Sequence, residues 1–411
     1  MIDVRAARDD PTSWRAALER KGAAEDFDAL MAADSRWLEL VPQVDELRGK
    51  TKLKGKPTPE QIEELRTVKA DLQRLEEELA AAEAERRALL DRVPNPPEAS
   101  VPDGMTDEDA AELRRVGEPR SGEGIRDHVD LAAAAGWIDM ERAAKVSGSR
   151  FTYRTGPIAL LEIALYRFAL DRLTREGFVP VLPPVLVRKD AMYGTGFLPT
   201  EEVNIYRVER DELYLTGTSE VALAALHAGE ILEQDDLPRR YAGYSTCFRR
   251  EAGAAGKDTR GMFRVHQFDK VEMFAYVRPE ESRDEHERLL GLEEALVGEL
   301  GIPYRVVNIA AGELGASATK KYDIEAWFPN QGRYREITST SNTTDYQARR
   351  LDIRYRPADG GPRFVHTLNG TAATARAMLA VLEHFQDEHG AVAVPQALVD
   401  AGAPAQIEPP G

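Results

Sequence analysis

Cys247-Phe248-Arg249-Arg250-Glu251, a glycine-rich charged loop to Gly261, and Phe263-Arg264-Val265-His266-Gln267-Phe268-Asp269-Lys270-Val271-Glu272-Met273 carry the reading of this chain. The apolar and aromatic runs Tyr241 to Arg250 and Phe263 to Val277 predict two strands flanking that loop. On the second, Arg264, Phe268 and Glu272 stand at even spacing and so share one side. A cation, an aromatic ring and a carboxylate on one face fit two readings. One is a salt-bridged sheet facing solvent. The other is a site where arginines grip phosphates bidentately, which suits a nucleotide with no dedicated phosphate loop.

Dedicated nucleotide loops are missing from the sequence. Gly253-Ala254-Ala255-Gly256-Lys257-Asp258 lacks the four-residue glycine spacing and the Ser or Thr after lysine. Gly194-Thr195-Gly196-Phe197-Leu198-Pro199 lacks the third glycine of a dinucleotide fingerprint. Around the hairpin, helical periodicity covers Ala159 to Arg175 and leads into the apolar, proline-closed stretch Gly177 to Pro184. Tyr304 to Ile309 reads as a further strand. A last helix is expected over about Ala372 to Glu388, with Ala372, Ala375, Leu379 and Leu382 on one face. Strands mixed irregularly with helices predict an α+β fold built on an antiparallel sheet.

The first part of the chain has a different texture. Leu65, Val68, Leu72, Leu75, Leu79, Ala82 and Leu89 form a heptad seam, with a weaker counterpart at Leu30, Trp37, Val41 and Val44. Pro42 predicts a kink or break in the upstream helix. Between the seams, Arg48 to Lys56 carries Arg48, Lys50, Lys52, Lys54 and Lys56 and no acid. Lys56-Pro57-Thr58-Pro59 cannot continue a helix. An antiparallel hairpin with a basic tip accounts for this order, as does an oligomerising coiled coil. The tip is either a grip for a polyanion or a solvated lysine-rich turn. Pro94-Asn95-Pro96-Pro97 ends the pattern, and the expected division is 1–110 for the hairpin and 111–411 for the rest.

The net charge of −17 argues against a generally nucleic-acid-binding surface and leaves that basic spot as the exception. No apolar run reaches the roughly 18 residues of a membrane span, and MIDVRAARDD lacks signal-peptide order. A cytoplasmic protein with no membrane association is expected. Cys247, the single cysteine, excludes an internal disulfide and reads as a core residue.

Taken together, Phe248-Arg249-Arg250-Glu251 with its loop and the Arg264 strand resembles motif 2 of class II aminoacyl-tRNA synthetases. Gly177 to Pro184 resembles motif 1, and Asn369-Gly370-Thr371-Ala372-Ala373-Thr374-Ala375-Arg376 resembles motif 3, though with less glycine than usual. Thr218-Ser219-Glu220, Thr259-Arg260-Gly261 to Met273, and Glu336-Ile337-Thr338-Ser339 to Gln347-Ala348-Arg349-Arg350 narrow the resemblance to bacterial-type seryl-tRNA synthetases. It extends over essentially the whole chain. It implies a class II core on an antiparallel sheet, with an N-terminal helical hairpin as the tRNA-binding arm. The implied activity is ATP-dependent formation of seryl-adenylate and transfer of serine to tRNA(Ser), and to tRNA(Sec) where present. Implied partners are L-serine, ATP as substrate, Mg²⁺ and a second copy in a homodimer.

The resemblance also implies roles for individual residues. Arg249 would bind the α-phosphate and the serine carboxylate, and Glu251 the adenine edge. Arg264 and Arg376 would contact the triphosphate, Phe268 would stack on adenine beside the backbone of Val265, and Arg250, Ile337 and Thr338 complete the ATP set. Glu336 and Ser339 would hold Mg²⁺. Thr218, Ser219, Glu220, Arg249, Glu272 and Thr371 would form the serine pocket, and the five basic tip residues would bind tRNA. Two alternatives compete: a ligase loading serine or another small amino acid onto a carrier protein, and a specialised antibiotic-tolerant or biosynthetic copy. A non-catalytic regulator would be expected to lose Arg249, Glu272 or Arg376, and all three are present.

Overall fold

The computed structural model describes residues 1–52, 58–252 and 261–408. The tip residues Lys54 and Lys56 and the motif 2 loop residues 253–260 lie outside the described residues. Two compact units are present, Met1–Pro97 and Glu98–Gly411. The first ends before the boundary expected at residue 110. From Glu98 onward the chain packs with the second unit: the Glu98 amide donates to the Thr319 carbonyl at 2.9 Å, and Val101 is buried with Val307 and Ile309.

In the first unit α1 (Ala24–Lys50) packs on α2 (Pro59–Arg92). The ion pairs Asp26–Arg92, Asp34–Arg86 and Arg48–Glu76 run in opposite chain directions, so the helices are antiparallel. A capping box starts α2: Gln61 N donates to Thr58 Oγ1 at 3.3 Å, and Thr58 N to Gln61 Oε1 at 2.9 Å. Of the kink or break expected at Pro42, the break does not occur: α1 continues through it. Pro42 is exposed, and the carbonyl that loses its amide partner belongs to Leu38, also on the wet side, where solvent can satisfy it. The upstream seam is Phe27, Leu30, Ala33, Leu40 and Val44, with Trp37 and Val41 only half-buried. Asp34 is fully buried within that seam and tied to Arg86 and Arg8.

Among the described residues of the second unit, eight strands form one sheet. They are β1 (Ala111–Val116), β2 (Val179–Val181), β3 (Arg239–Phe248), β4 (Gln267–Val277), β5 (Tyr304–Asn308), β6 (Lys320–Phe328), β7 (Arg333–Thr344) and β8 (His366–Thr374). Their spatial order is β1-β5-β6-β7-β8-β4-β3-β2, antiparallel throughout except for the short β2–β3 pair. Three helices, α3 (Pro157–Arg175), α4 (Ser282–Glu299) and α5 (Ala375–His384), bury apolar stripes in the same core as the sheet. Strand β4 shows how part of the other face is left for chemistry, Phe274 and Tyr276 farther along it being buried in a second apolar cluster. Val271, Met273, Ala275 and Val277 enter that core, while Phe268, Lys270 and Glu272 alternate with them toward a cleft.

Two sequence expectations change here. Arg264 precedes β4 instead of lying on it. The last helix begins at Ala375, not Ala372. Thr371 and Ala373 are held as strand by pairing with Glu272 and Val271, and Thr374 Oγ1 then accepts the Arg376 amide at 3.3 Å as the helix cap.

Candidate active site

Two β-bulges shape the middle of the sheet. Glu325 pairs with Glu336 and Ile324 with Thr338, so Ile337 is the extra residue of β7. Likewise Glu272 pairs with Thr371 and Val271 with Ala373, which leaves Ala372 extra on β8. A strand normally sends residues three apart to opposite faces; each bulge cancels that reversal. Glu336 and Ser339 therefore line one cleft, as do Thr371 and Thr374. Beyond Thr340–Gly370 the β7–β8 ladder stops, and the two strands are bridged instead by side chains. Arg376 Nη1 reaches the Glu336 carbonyl at 3.1 Å and its Oε2 at 3.2 Å, and Thr374 Oγ1 donates to the Ile337 carbonyl at 3.4 Å.

The cleft is also lined by Arg249, Glu251, Arg264, Val265, Phe268, Ile337 and Thr338. Arg249 leaves the end of β3, its Nε donating to the Gly217 carbonyl at 3.1 Å and its guanidinium 5.3 Å from the Phe268 ring centre. Glu251 sits in the left-handed region (φ 52°), a strained backbone for a non-glycine residue, and it meets Arg264 Nη1 at 2.6 Å. The carboxylate thus recovers Arg264 for the site although that residue is off the strand. Arg250 is not in the lining. Its amide donates to the Asn204 carbonyl at 2.9 Å, and its guanidinium lies 6.0 Å from the Tyr206 ring centre.

A second cavity adjoins the first and shares Arg249, Lys270, Ser339 and Thr371 with it. Thr218, Glu220 and Glu272 complete its acidic end. Ser219 turns away, its Oγ 2.6 Å from Ser245 Oγ. Glu220 accepts from Gln347 Nε2 at 2.8 Å and Asn369 Nδ2 at 3.0 Å. Burial and the neighbouring Glu272 push its carboxyl up to about 7. Glu336 behaves oppositely: burial would raise it, but Lys321, Arg376 and Arg249 outweigh burial and hold it below the usual carboxylate range. Thr338 lines the cleft, but its hydroxyl donates to buried Glu293 at 3.2 Å.

The sequence reading missed Lys270, Gln347 and Asn369. Lys270 keeps the even spacing of Phe268 and Glu272, which was signal enough to find it. Gln347 and Asn369 stand inside motif runs but act through the acid they orient. At the hairpin tip, Arg48 pairs with Glu76 at 2.9 Å and Lys50 with Glu46 at 2.8 Å, all half-exposed or more except Glu76. Such pairs are worth little and exchange readily for another anion. Lys52 is exposed.

Residues 205–385 match the model of the tRNA synthetase class II core domain (G, H, P, S and T), and residues 1–97 that of the seryl-tRNA synthetase N-terminal domain. The chain is 50% identical to a serine–tRNA ligase of Thermobifida fusca over 97% of this chain and 96% of that protein. It belongs to the seryl-tRNA synthetase family. Among solved structures of the family, one from Pyrococcus horikoshii complexed with ATP is 42% identical, covers 100% of both chains and superposes with a TM-score of 0.93. A cytoplasmic one from Naegleria fowleri with AMP is 32% identical, covers 98% of this chain and 96% of that one, and gives 0.88. In this seryl-tRNA synthetase chain the core match contains every residue of both cavities from Thr218 to Arg376, and the N-terminal match ends where the first compact unit ends.

Proposed function

We propose that the chain activates L-serine with ATP and transfers the seryl group to the 3′ end of tRNA(Ser), and of tRNA(Sec) where that tRNA is present. The observation that carries the reading is the pair of adjoining cavities sharing Arg249: one cationic with an aromatic platform, the other acidic. ATP enters the first, with Phe268 against adenine, Glu251 and the Val265 backbone at its edge, and Arg264 and Arg376 on the phosphates. Serine enters the second, its ammonium and hydroxyl met by Glu220, Glu272, Thr218 and Thr371. An analogue without the hydroxyl leaves these buried acceptors unpaired, which can give discrimination of roughly 10⁴ or more.

The serine carboxylate then attacks the α-phosphorus in line with departing pyrophosphate. One P–O bond forms and one breaks, and no protein nucleophile is required. This chain's contribution is positioning and cancellation of phosphate charge. Arg249, at the junction, neutralises the α-phosphate as the new bond forms. Glu336 and Ser339, brought to one face by the Ile337 bulge, offer an ionised carboxylate and a hydroxyl, a donor pair that suits Mg²⁺, which keeps several waters and binds phosphates alongside one or two carboxylates. Bound there, Mg²⁺ supplies charge neutralisation on the phosphates.

Transfer to RNA rests on the hairpin: Arg48 and Lys50 close its first helix, Lys52 follows it, and Lys54 and Lys56 come next in the sequence before the second helix opens at Pro59. A carrier-protein ligase sharing only the core would not need this arm, and the full-length likeness to serine–tRNA ligases weighs against that alternative. A specialised copy of the same enzyme keeps the same chemistry. Exposed Leu160, Ile163, Val179 and Leu182, on α3 and the motif 1 stretch, support a homodimer across that face. No helix among the described residues is long and apolar enough to cross a membrane, and a cytoplasmic location suits the reaction. The test is ATP–pyrophosphate exchange across the amino acids, followed by charging of total tRNA. Robust exchange with another amino acid and none with serine overturns the specificity. Glu272→Ala should impair serine use while ATP binding survives.

A further inference from the structure

Lys270 has no part in the scheme above, yet it occupies its centre. It points from β4 into the junction that both cavities share, beside Arg249, Ser339 and Thr371. Its side chain is nearly buried, and Nζ lies 2.8 Å from Glu272 Oε2, an oxygen that also accepts from Thr371 Oγ1 at 3.4 Å. A buried ammonium is expensive unless paired, and one pairing uses one of its three N–H donors. The remaining donors stand where two anions must meet, the amino-acid carboxylate and the α-phosphate. Arg249 is partly committed already, through the Gly217 carbonyl and the face of Phe268. Lys321 also lines this cavity but is tied to Asp323 at 2.9 Å, so without Lys270 a carboxylate entering beside Glu220 and Glu272 would meet mostly repulsion.

We propose that Lys270 binds the carboxylate of serine directly, holding the attacking oxygen at the junction while keeping Glu272 aimed at the ammonium. This rests on the serine-activating reading. It makes Lys270 a substrate-contacting residue that recognises an α-amino acid by both ends of its zwitterion: the carboxylate by Nζ, and the ammonium through the paired Glu272. No proton moves. The carboxylate oxygen forms the bond to phosphorus, and pyrophosphate leaves.

The experiment compares competitive binding of serine and of serinamide, which keeps the ammonium and hydroxyl but has no carboxylate charge. Wild-type exchange with serine is measured first. Its absence defeats the reading of the reaction, whereas its presence lets the result for Lys270 stand alone. Lys270→Met should weaken serine roughly 10- to 100-fold, as expected for a lost hydrogen bond to a charged group. It should weaken serinamide much less, so the preference for serine collapses. Lys270→Arg should retain most of that preference. Equal weakening of both ligands would mean that Lys270 acts only through Glu272, and an unchanged preference would mean no contact; either overturns the proposal. ATP binding by calorimetry verifies the fold of each variant, with Lys270→Gln, closer in shape, used in place of the methionine variant if that one fails to bind ATP.

Discussion

Glu220 and Glu272 line one cavity but live in different electrostatic surroundings: Glu272 has Lys270 at 2.8 Å, whereas Glu220 accepts from the neutral amides of Gln347 and Asn369. With its carboxyl pushed up to about 7, Glu220 is largely protonated at pH 6 and largely ionised at pH 8. Only the ionised form attracts an ammonium. The Michaelis constant for serine in pyrophosphate exchange should therefore fall roughly tenfold as pH rises across this interval, following the ionised fraction. Glu220→Gln should bind serine poorly and show a flat profile. A wild-type constant that rises with pH, or does not move, sinks the assignment. Stability has the opposite sign, since ionising a buried acid costs energy. The contribution of Glu220 is fully present below its ordinary value near 4.5 and declines as pH climbs through about 7.

Arg249→Ala should depress exchange by roughly 10²- to 10³-fold at every serine concentration, because the charge it meets develops as the new bond forms. Steady-state kinetics at saturating ATP and serine tests this. A variant with normal turnover and only a raised Michaelis constant for ATP would assign Arg249 to ground-state binding.

The arm prediction separates the two reactions. Replacing about residues 30 to 92 by a short linker should leave serine activation nearly intact, since both cavities are built from residues after 190. Charging of tRNA should collapse. Neutralising Lys50, Lys52, Lys54 and Lys56 should act in the same direction more mildly and flatten the salt dependence of tRNA affinity, fewer counterions being released. Both activities are assayed on one preparation. Parallel loss of the two, or unchanged charging, counts against a tRNA-binding arm.

Leu182 is 80% exposed and Ile163 62%, an unusual waste of apolar surface unless a second copy covers it. Light scattering at micromolar concentration should give a dimer, and Ile163→Asp with Leu182→Asp should give a monomer. A monomeric wild type contradicts the prediction outright.

What the sequence made legible was whatever depended on composition and short-range period: the strand pair around Arg249, the heptad seams, and the motif residues that line both cavities. What it hid was set by pairing with distant strands. Nothing local announces that Ile337 and Ala372 are bulged, yet those bulges decide that Glu336 joins Ser339 and Thr371 joins Thr374. Ala372 and Ala373 have strong helix propensity, which predicts helix, but the ladder to β4 overrides it. The α1 helix survives Pro42 because the orphaned carbonyl lies on the wet side, which no single-chain period reveals. Arg250 and Ser219 sat in the right motifs, but their side chains point elsewhere.

The ladder between β7 and β8 stops at Thr340–Gly370 while both strands run on, each still paired on its outer side. The sheet therefore has an edge in its own middle. A bare strand edge on the outside of a protein invites a foreign strand and, with it, aggregation. Here the edge is flanked on both sides by the molecule's own strands and strapped by Arg376, so a foreign strand would have to displace both to pair with it. The fold can leave backbone available to a small ligand at its core without advertising a template for self-association.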